Sequence, residues 1–511
     1  MNDWTSGYVA DIGYTYGYYS ELNPLRIKQI LTFAGLKYPE VGAACELGFG
    51  QGASVNFHAA ASSIEWYGTD FNPTQAAFAQ EMADVCGSGA KLYDDSFESF
   101  ATRSDLPDFD FIGVHGIWSW ISDENRAVIV DFIRRKLKVG GVLYISYNTF
   151  PGWSSFAPMR HLMTEHARIF GAEGHGIINR INGALDFTEK LQTVNPGFYR
   201  VNPLIPERMK KLKEQNRHYL AHEYFNRDWH PIYFSAMQDW LAPAKLNYAC
   251  SAHQSDHLDI INLSNEQQVF LNGIPDITFR ESVRDFIVNQ QFRRDYWGKG
   301  LCKLSAVEQM DRSRVIRVVL TVRRTDAELK ATGILGTATF SEPIYVPILD
   351  YLADHKVRTL GQIEQAVKDK GITLPQIIQS AMFLIGSGQL ALAQEENVIV
   401  KARKQTEKLN SFILRKASSS GEISYLASPV TGGGVAVGRI QQLFLVGLGK
   451  ELKQPGDIAQ FTWQIVSALG QKVIKEGKRL ETDAENITEL TEQAKAFLEK
   501  QLPILKALQV V

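Results

Sequence analysis

The stretch Ala44-Cys45-Glu46-Leu47-Gly48-Phe49-Gly50-Gln51-Gly52 constrains this chain more than any other. It reads as a buried strand, a glycine turn and the start of a helix. Glycines at 48, 50 and 52 let the backbone turn tightly and approach a ligand that a Cβ would push away. Tyr67-Gly68-Thr69-Asp70 then reads as a second strand ending in an acid. That acid stands about 20 residues on, where a ribose diol takes a carboxylate acceptor. A lone Gly-x-Gly is usually just a turn; the full strand–turn–helix–strand–acid order predicts an α/β unit that binds a nucleoside cofactor.

The same alternation continues. Residues 91–93 form a short strand ending in Asp94-Asp95-Ser96, and residues 110–114 a fourth ending at His115-Gly116. A helix over 124–136 follows, with a cap near Ser122 or Asp123 and a basic last turn suited to its dipole. Leu137-Lys138-Val139-Gly140-Gly141 turns into a fifth strand over 142–147. Such repetition implies a parallel sheet covered on both faces, with ligands at the carboxyl ends of its strands. Upstream, Tyr8, Tyr14, Tyr16, Tyr18 and Tyr19 crowd the stretch before a helix over 24–33. They read either as an aromatic clamp for the N-terminal arm or as a lid over the cofactor.

After Pro151-Gly152-Trp153 the pattern turns helical, over 157–170, 176–194 and 206–222. A strand over 246–250, a helix over 277–289 and a strand over 292–297 then complete the sheet as an antiparallel edge. Beyond residue 305 the reading is a strand over 314–323, three helices (347–352, 361–368, 374–387) and a hairpin over 390–400. That unit is winged-helix-like, but Leu374-Pro375-Gln376-Ile377-Ile378-Gln379 carries no Lys or Arg. A phosphate-binding face needs them, so no nucleic-acid partner is expected. The tail is helical to 508, with 417–421 and 431–434 as flexible points. The division expected is a core of 1–165 plus 240–300, a helical insertion at 166–239, a winged-helix-like unit at 305–400 and a helical domain at 401–511.

With 511 residues, several domains are expected. Hydrophobic residues at 45% against 22% charged exclude a disordered chain, and a net charge of -2 gives no reason to expect a polyanion partner. The first residues lack the basic and apolar regions of a signal peptide, no apolar run reaches a membrane span, and four separated cysteines form no metal pair. A cytoplasmic protein without a metal site is the expectation.

The glycine turn and strand-end acid suit NAD, FAD or S-adenosylmethionine. Three features favour the last. The glycines fall as Gly-x-Gly-x-Gly, not the wider pyrophosphate spacing. Glu46 would repel a pyrophosphate but can face a sulfonium and an amino group. Asp95-Ser96 is placed to accept from an adenine amino group.

Glu46-Leu47-Gly48-Phe49-Gly50-Gln51-Gly52 resembles motif I of class I S-adenosylmethionine-dependent methyltransferases, and Lys138-Val139-Gly140-Gly141 resembles their turn before strand five. His115-Gly116-Ile117-Trp118-Ser119-Trp120-Ile121 and Tyr147-Asn148-Thr149-Phe150-Pro151-Gly152-Trp153 resemble a bacterial family carrying a methyltransferase regulatory domain. The likeness extends to His222-Glu223-Tyr224-Phe225, Pro231-Ile232-Tyr233-Phe234, Phe292-Arg293-Arg294 and Ala427-Ser428-Pro429-Val430, and so covers nearly the whole chain. One departure is Glu21-Leu22-Asn23-Pro24, where relatives carry Thr-His-Pro.

The resemblance implies a Rossmann-like seven-stranded sheet, S-adenosylmethionine as cofactor, and a protein lysine as methyl acceptor. A small-molecule amine or hydroxyl is the alternative acceptor, and a non-catalytic S-adenosylmethionine-binding protein the second alternative; a homodimer is an arrangement open to the accessory regions. The expected cofactor-binding set is Tyr18, Glu46, Gly48, Gly50, Gly52, Asp70, Phe71, Asp95, Ser96 and His115. The expected acceptor side is Tyr14, His115, Trp118 and Tyr147, since an aromatic pocket lowers an ammonium pKa while its π-faces still attract cations. Trp153 is expected to be structural, and His222-Glu223 to serve helix packing.

Overall fold

The computed structural model describes residues 8, 12–171, 174 and 176–511. Its centre is a seven-stranded sheet of β1 (Ala43–Leu47), β2 (Glu65–Thr69), β3 (Lys91–Tyr93), β4 (Phe109–Val114), β5 (Leu137–Asn148), β6 (Asn247–Ser251) and β7 (Phe292–Gly298). The order is β3-β2-β1-β4-β5-β7-β6. β1 to β5 run parallel, and β7 is antiparallel to both β5 and β6. β7 was expected at the edge; it lies one place inside, because its run Arg293-Arg294-Asp295-Tyr296-Trp297 is buried on both sides and β6 covers it. The strand order reverses between β1 and β4, which opens a crevice at their carboxyl ends.

The crossovers follow from local chemistry. α1 (Pro24–Phe33) starts at Asn23, whose side chain accepts from the Leu25 N–H at 2.9 Å. α2 (Ala53–Ala61) follows the glycine turn, and α3 (Pro73–Cys86) is capped by Asn72 and closed by Gly87. α4 (Phe97–Ala101) is capped by Ser96, and α5 (Asp123–Lys136) by Ser122, with three basic residues in its last turn.

All nine residues of α2 are buried, although a surface helix normally keeps a polar face. The sheet covers one side. The other meets the C-terminal region: Ala53, Phe57, Ala60, Met82 and Cys86 share a core with Leu409, Phe412, Leu426 and Phe444, carried by the long helix Glu396–Lys416, the hairpin Tyr425–Ser428/Gly433–Ala436 and the helix Arg439–Gly449. The C-terminal half therefore buttresses the helices behind the glycine turn.

Of the helices between β5 and β6, Phe234–Leu241 packs on the sheet, while α6 (Ala157–Ile169), α7 (Gly176–Thr193), α8 (Gly197–Val201), α9 (Ile205–Lys213) and α10 (Arg217–Tyr224) close over their own core with Trp153 and Trp229. Further on, Arg317–Leu320 is the central strand of a small antiparallel sheet, flanked by Arg358–Thr359 and Leu390–Ala393 and packed on helices Glu342–Tyr351, Leu360–Ala366 and Leu374–Gly386. The hairpin expected at 390–400 does not form: Leu390–Ala393 pairs back to Arg317–Leu320, and the next residues open the long helix. A hairpin appears instead at Lys330–Gly333 and Gly336–Thr339.

The run Thr431-Gly432-Gly433-Gly434 was expected to be flexible, yet its first three residues are buried. It seats Tyr18: a Cβ on Gly433 would fall 2.1 Å from the Tyr18 hydroxyl oxygen. Asn23 Nδ2 donates to the carbonyls of Thr431 and Gly432 at 3.1 and 3.3 Å. Small residues here read as close approach, not freedom. Among the described residues no helix is long and apolar enough to cross a membrane.

Candidate functional site

At the reversal point lies a cavity, where a ligand is expected in an open α/β sheet. Its floor is the glycine turn and the ends of β1 and β4: Glu46, Gly48, Phe49, Gly50, Gln51, His115, Gly116 and Ile117. One wall is Asp70 and Phe71 after β2, with Gln75 of α3. Tyr8, Tyr14, Thr15 and Tyr19 of the N-terminal arm form the roof. Phe97, Trp120 and Ile121 lead into an adjoining groove that Asp94, Asp95 and Ser96 also line, and that shares Tyr8 and Phe71 with the cavity.

Of the expected residues, Tyr14, Glu46, Gly48, Gly50, Asp70, Phe71 and His115 are brought together in the cavity, and Asp95 and Ser96 in the groove. Asp70 does two jobs. Its Oδ2 accepts from the Gly50 N–H at 2.8 Å and its Oδ1 from the Asn72 N–H at 3.0 Å, so it pins the glycine turn and still has lone pairs to offer. Burial pushes Asp70 up to about 6 despite those two bonds. Glu46 is 1% exposed and its Oε2 has no hydrogen-bond partner. Burial, then the nearby Asp70 charge, pushes it up to about 8. Neither acid forms an ion pair among the described residues, so the cavity holds two carboxyl groups waiting for positive charge.

His115 is held between rings. Tyr19 stacks on it with centroids 3.6 Å apart, and its Nδ1 shares a 2.8 Å hydrogen bond with the Tyr144 hydroxyl. Burial, aided by Arg294 and opposed by Glu21, pulls His115 down to about 4, so the imidazole is neutral at physiological pH. Glu21 itself is raised by burial but carried down overall, to about 2, by Arg26 and Arg294. Its carboxylate sits 3.2 Å from Arg294 and 3.8 Å from Arg26. This ties the entry of α1 to β7 in the segment where the sequence departs from Thr-His-Pro.

Four expected site residues lie elsewhere. Tyr18 turns away from the cavity to Phe57, His58 and Tyr425, because neighbours along the extended arm alternate sides and Tyr19 takes the inner one. Gly52 does not line the cavity; it has φ +68° and a Cβ there would fall 2.3 Å from Ala79 Cβ, so it lets α2 and α3 pack. Trp118 is fully buried, edge-on to Trp240 at 5.8 Å and covered by Arg126, whose Nε and Nη2 donate to its carbonyl. Tyr147 is fully buried and donates to Asp295 at 2.8 Å. The pleat explains it: Tyr144 and Ser146 of β5 face His115 and Gly116, so Tyr147 must face the opposite side. Trp153 packs edge-on against Trp229 in the insertion core.

Phe97 and Ile117 line the cavity without having been singled out, whereas Tyr19, expected as clamp or lid, and Trp120, expected on the aromatic loop, both reach it. Phe97 directly follows Asp95-Ser96, and Ile117 and Trp120 stand on the aromatic loop already noted. Proximity in sequence was a usable signal for Phe97 and Ile117.

The residues present fit a cationic nucleoside better than a dinucleotide: two buried unneutralised acids oppose a pyrophosphate, and the tyrosine roof favours a cation. Residues 216–299 match a family model described as "Predicted methyltransferase regulatory domain". The uncharacterized protein sll1526 of Synechocystis is 43% identical over 99% of both chains. The uncharacterized protein RP789 of Rickettsia prowazekii is 27% identical over 54% of this chain and 49% of its own. Among solved structures, PKMT2 from Rickettsia typhi in complex with AdoHcy superposes with a TM-score of 0.69 at 18% identity, covering 98% of this chain and 100% of that one. The chain therefore belongs to the same family as the Synechocystis protein, shares the fold of the rickettsial PKMT2, and carries at 216–299 the stretch described as a predicted methyltransferase regulatory domain.

Proposed function

We propose that this protein transfers the methyl group of S-adenosylmethionine to an amine, and that the amine is a lysine side chain of a protein. The observation that carries the reading is the pair Glu46 and Asp70, buried without a counter-cation beneath a roof of tyrosines. The donor supplies an activated methyl on a sulfonium, so the protein's own work is alignment and exclusion of water. Asp70 would accept from the ribose hydroxyls while it holds Gly50. Glu46 would face the amino and sulfonium charge. Phe71, Phe97 and Asp95 would hold the adenine, the last as acceptor for its amino group; Arg103, 3.0 Å away, keeps that acid oriented. Tyr14 and Tyr19 border the space left for the acceptor, where aromatic surfaces disfavour an ammonium's hydration and so ease its loss of a proton.

The lysine assignment is supported by the family resemblance of the two aromatic loops and by the rickettsial PKMT2, which has this fold along its whole length and binds AdoHcy. The test is incubation of the purified protein with S-adenosylmethionine labelled on the methyl group and a bacterial lysate. The expected result is labelled protein bands that yield methyl-lysine on hydrolysis. Label confined to small molecules would overturn the protein-lysine assignment and leave the small-amine reading.

A further inference from the structure

The segment His222-Glu223 is not used by the cofactor reading, yet α10 places it against the tyrosine roof of the cavity. The His222 ring lies 4.9 Å from Tyr14 and 5.5 Å from Tyr8, both roof residues. The indole N–H of Trp120, which borders cavity and groove, donates to the Glu223 carbonyl at 3.2 Å. Arg160 of α6 anchors the end of the same helix by donating to the Tyr224 carbonyl at 2.8 Å. The last turn of α10 is thus held between the Trp120 loop and α6.

The Glu223 carboxyl makes no hydrogen bond or ion pair among the described residues. Its charge acts on Tyr8, Tyr14 and Tyr19 from one side and on Tyr219 from its own helix. A half-buried acid ringed by phenols beside a cofactor cavity, with no cation to neutralise it, is a poor packing solution and a good receptor for an ammonium.

We propose that Glu223 receives the acceptor's ammonium at the mouth of the cavity and takes its proton. This rests on the methyl-transfer reading above. The ammonium passes one proton to a Glu223 oxygen and becomes a neutral amine. The nitrogen lone pair then forms the bond to the methyl carbon as the carbon–sulfur bond breaks and its electrons remain on sulfur. The methylated ammonium keeps the positive charge, and Glu223 returns its proton to solvent. Burial pushes Glu223 up to about 7, where a carboxyl exchanges protons at neutral pH.

The test uses two ligands on the full-length protein by calorimetry at pH 8. AdoHcy lacks the transferred methyl, whereas sinefungin carries an amine where the methyl–sulfonium stands, and so presents a nitrogen near the acceptor position. The parent should bind sinefungin at least about tenfold tighter than AdoHcy. Glu223→Gln should lower that ratio at least about threefold while AdoHcy affinity holds, Glu46 accounting for what preference remains, and His218→Asn, exposed on the same helix, should leave the ratio unchanged. Should the amide variant fail to fold, Glu223→Asp should give an intermediate ratio. A sinefungin preference undiminished in Glu223→Gln, or a parent without one, overturns the role of Glu223. Failure of the parent to bind either ligand overturns the methyl-transfer reading itself.

Discussion

Replacing Glu46 by Gln should make the ligand-free protein more stable and the cofactor complex weaker. A carboxyl raised from 4.5 to about 8 in the folded state holds its proton more tightly folded than unfolded. Stability is therefore full below pH 4.5, falls as pH rises from there, and levels off above about 8. At pH 7 the span covered is about 2.5 pH units, which corresponds to about 3 kcal/mol of destabilisation. Gln keeps the shape and removes the titration, so Glu46→Gln should gain about 3 kcal/mol at pH 7 and about nothing near pH 4.5. Chemical denaturation followed by fluorescence at both pH values reads this directly. The same substitution should weaken S-adenosylmethionine binding about tenfold or more, since a charge-assisted contact is lost. A variant no more stable than the parent at pH 7, or equally stabilised at both pH values, would refute the placement of Glu46 as a buried acid reserved for a cation.

Other substitutions separate the cavity from its supports. Gly433→Ala should push Tyr18 out of its seat and cost about 1–3 kcal/mol in denaturation, although the site lies outside the cavity. Tyr147→Phe should leave methyl transfer near the parent rate and cost about 1–3 kcal/mol by removing the Asp295 hydrogen bond, measured by thermal unfolding. Trp118→Ala should cost about 3–5 kcal/mol as a core cavity, with AdoHcy affinity of the folded protein retained. A large loss of affinity in either aromatic variant without loss of stability would return those side chains to the acceptor pocket.

The parts of the fold legible in the sequence were those set by local rules. The helix at 24–33 was bounded by Asn23 and Pro24, and the α5 cap at Ser122 with its basic last turn marked both ends of that helix. The cofactor cavity followed from strand ends, because Glu46, Asp70 and His115 each occupy a carboxyl terminus of a parallel strand. What failed were choices of side. Tyr18 and Tyr19 differ by one residue and face opposite ways; so do Tyr144 and Tyr147 by pleat parity. Alternation along β5 could have separated the latter pair, since Leu143, Ile145 and Tyr147 share one core while Val142 and Tyr144 belong to the other. Tertiary contact decided the rest. Nothing local says that Thr431-Gly432-Gly433 is buried until Tyr18 arrives from more than 400 residues away, and the fully buried α2 announced a second layer only through its lack of any Asp, Glu, Lys or Arg.

The most direct test of the central claim is calorimetric titration of the parent and Asp70→Ala with S-adenosylmethionine, with NAD run in parallel. The account predicts saturable one-to-one binding of S-adenosylmethionine alone by the parent, and a loss of about thirtyfold or more in Asp70→Ala, because both the ribose contact and the tether to Gly50 are removed. Binding of NAD, or S-adenosylmethionine binding that Asp70→Ala leaves unchanged, would contradict it.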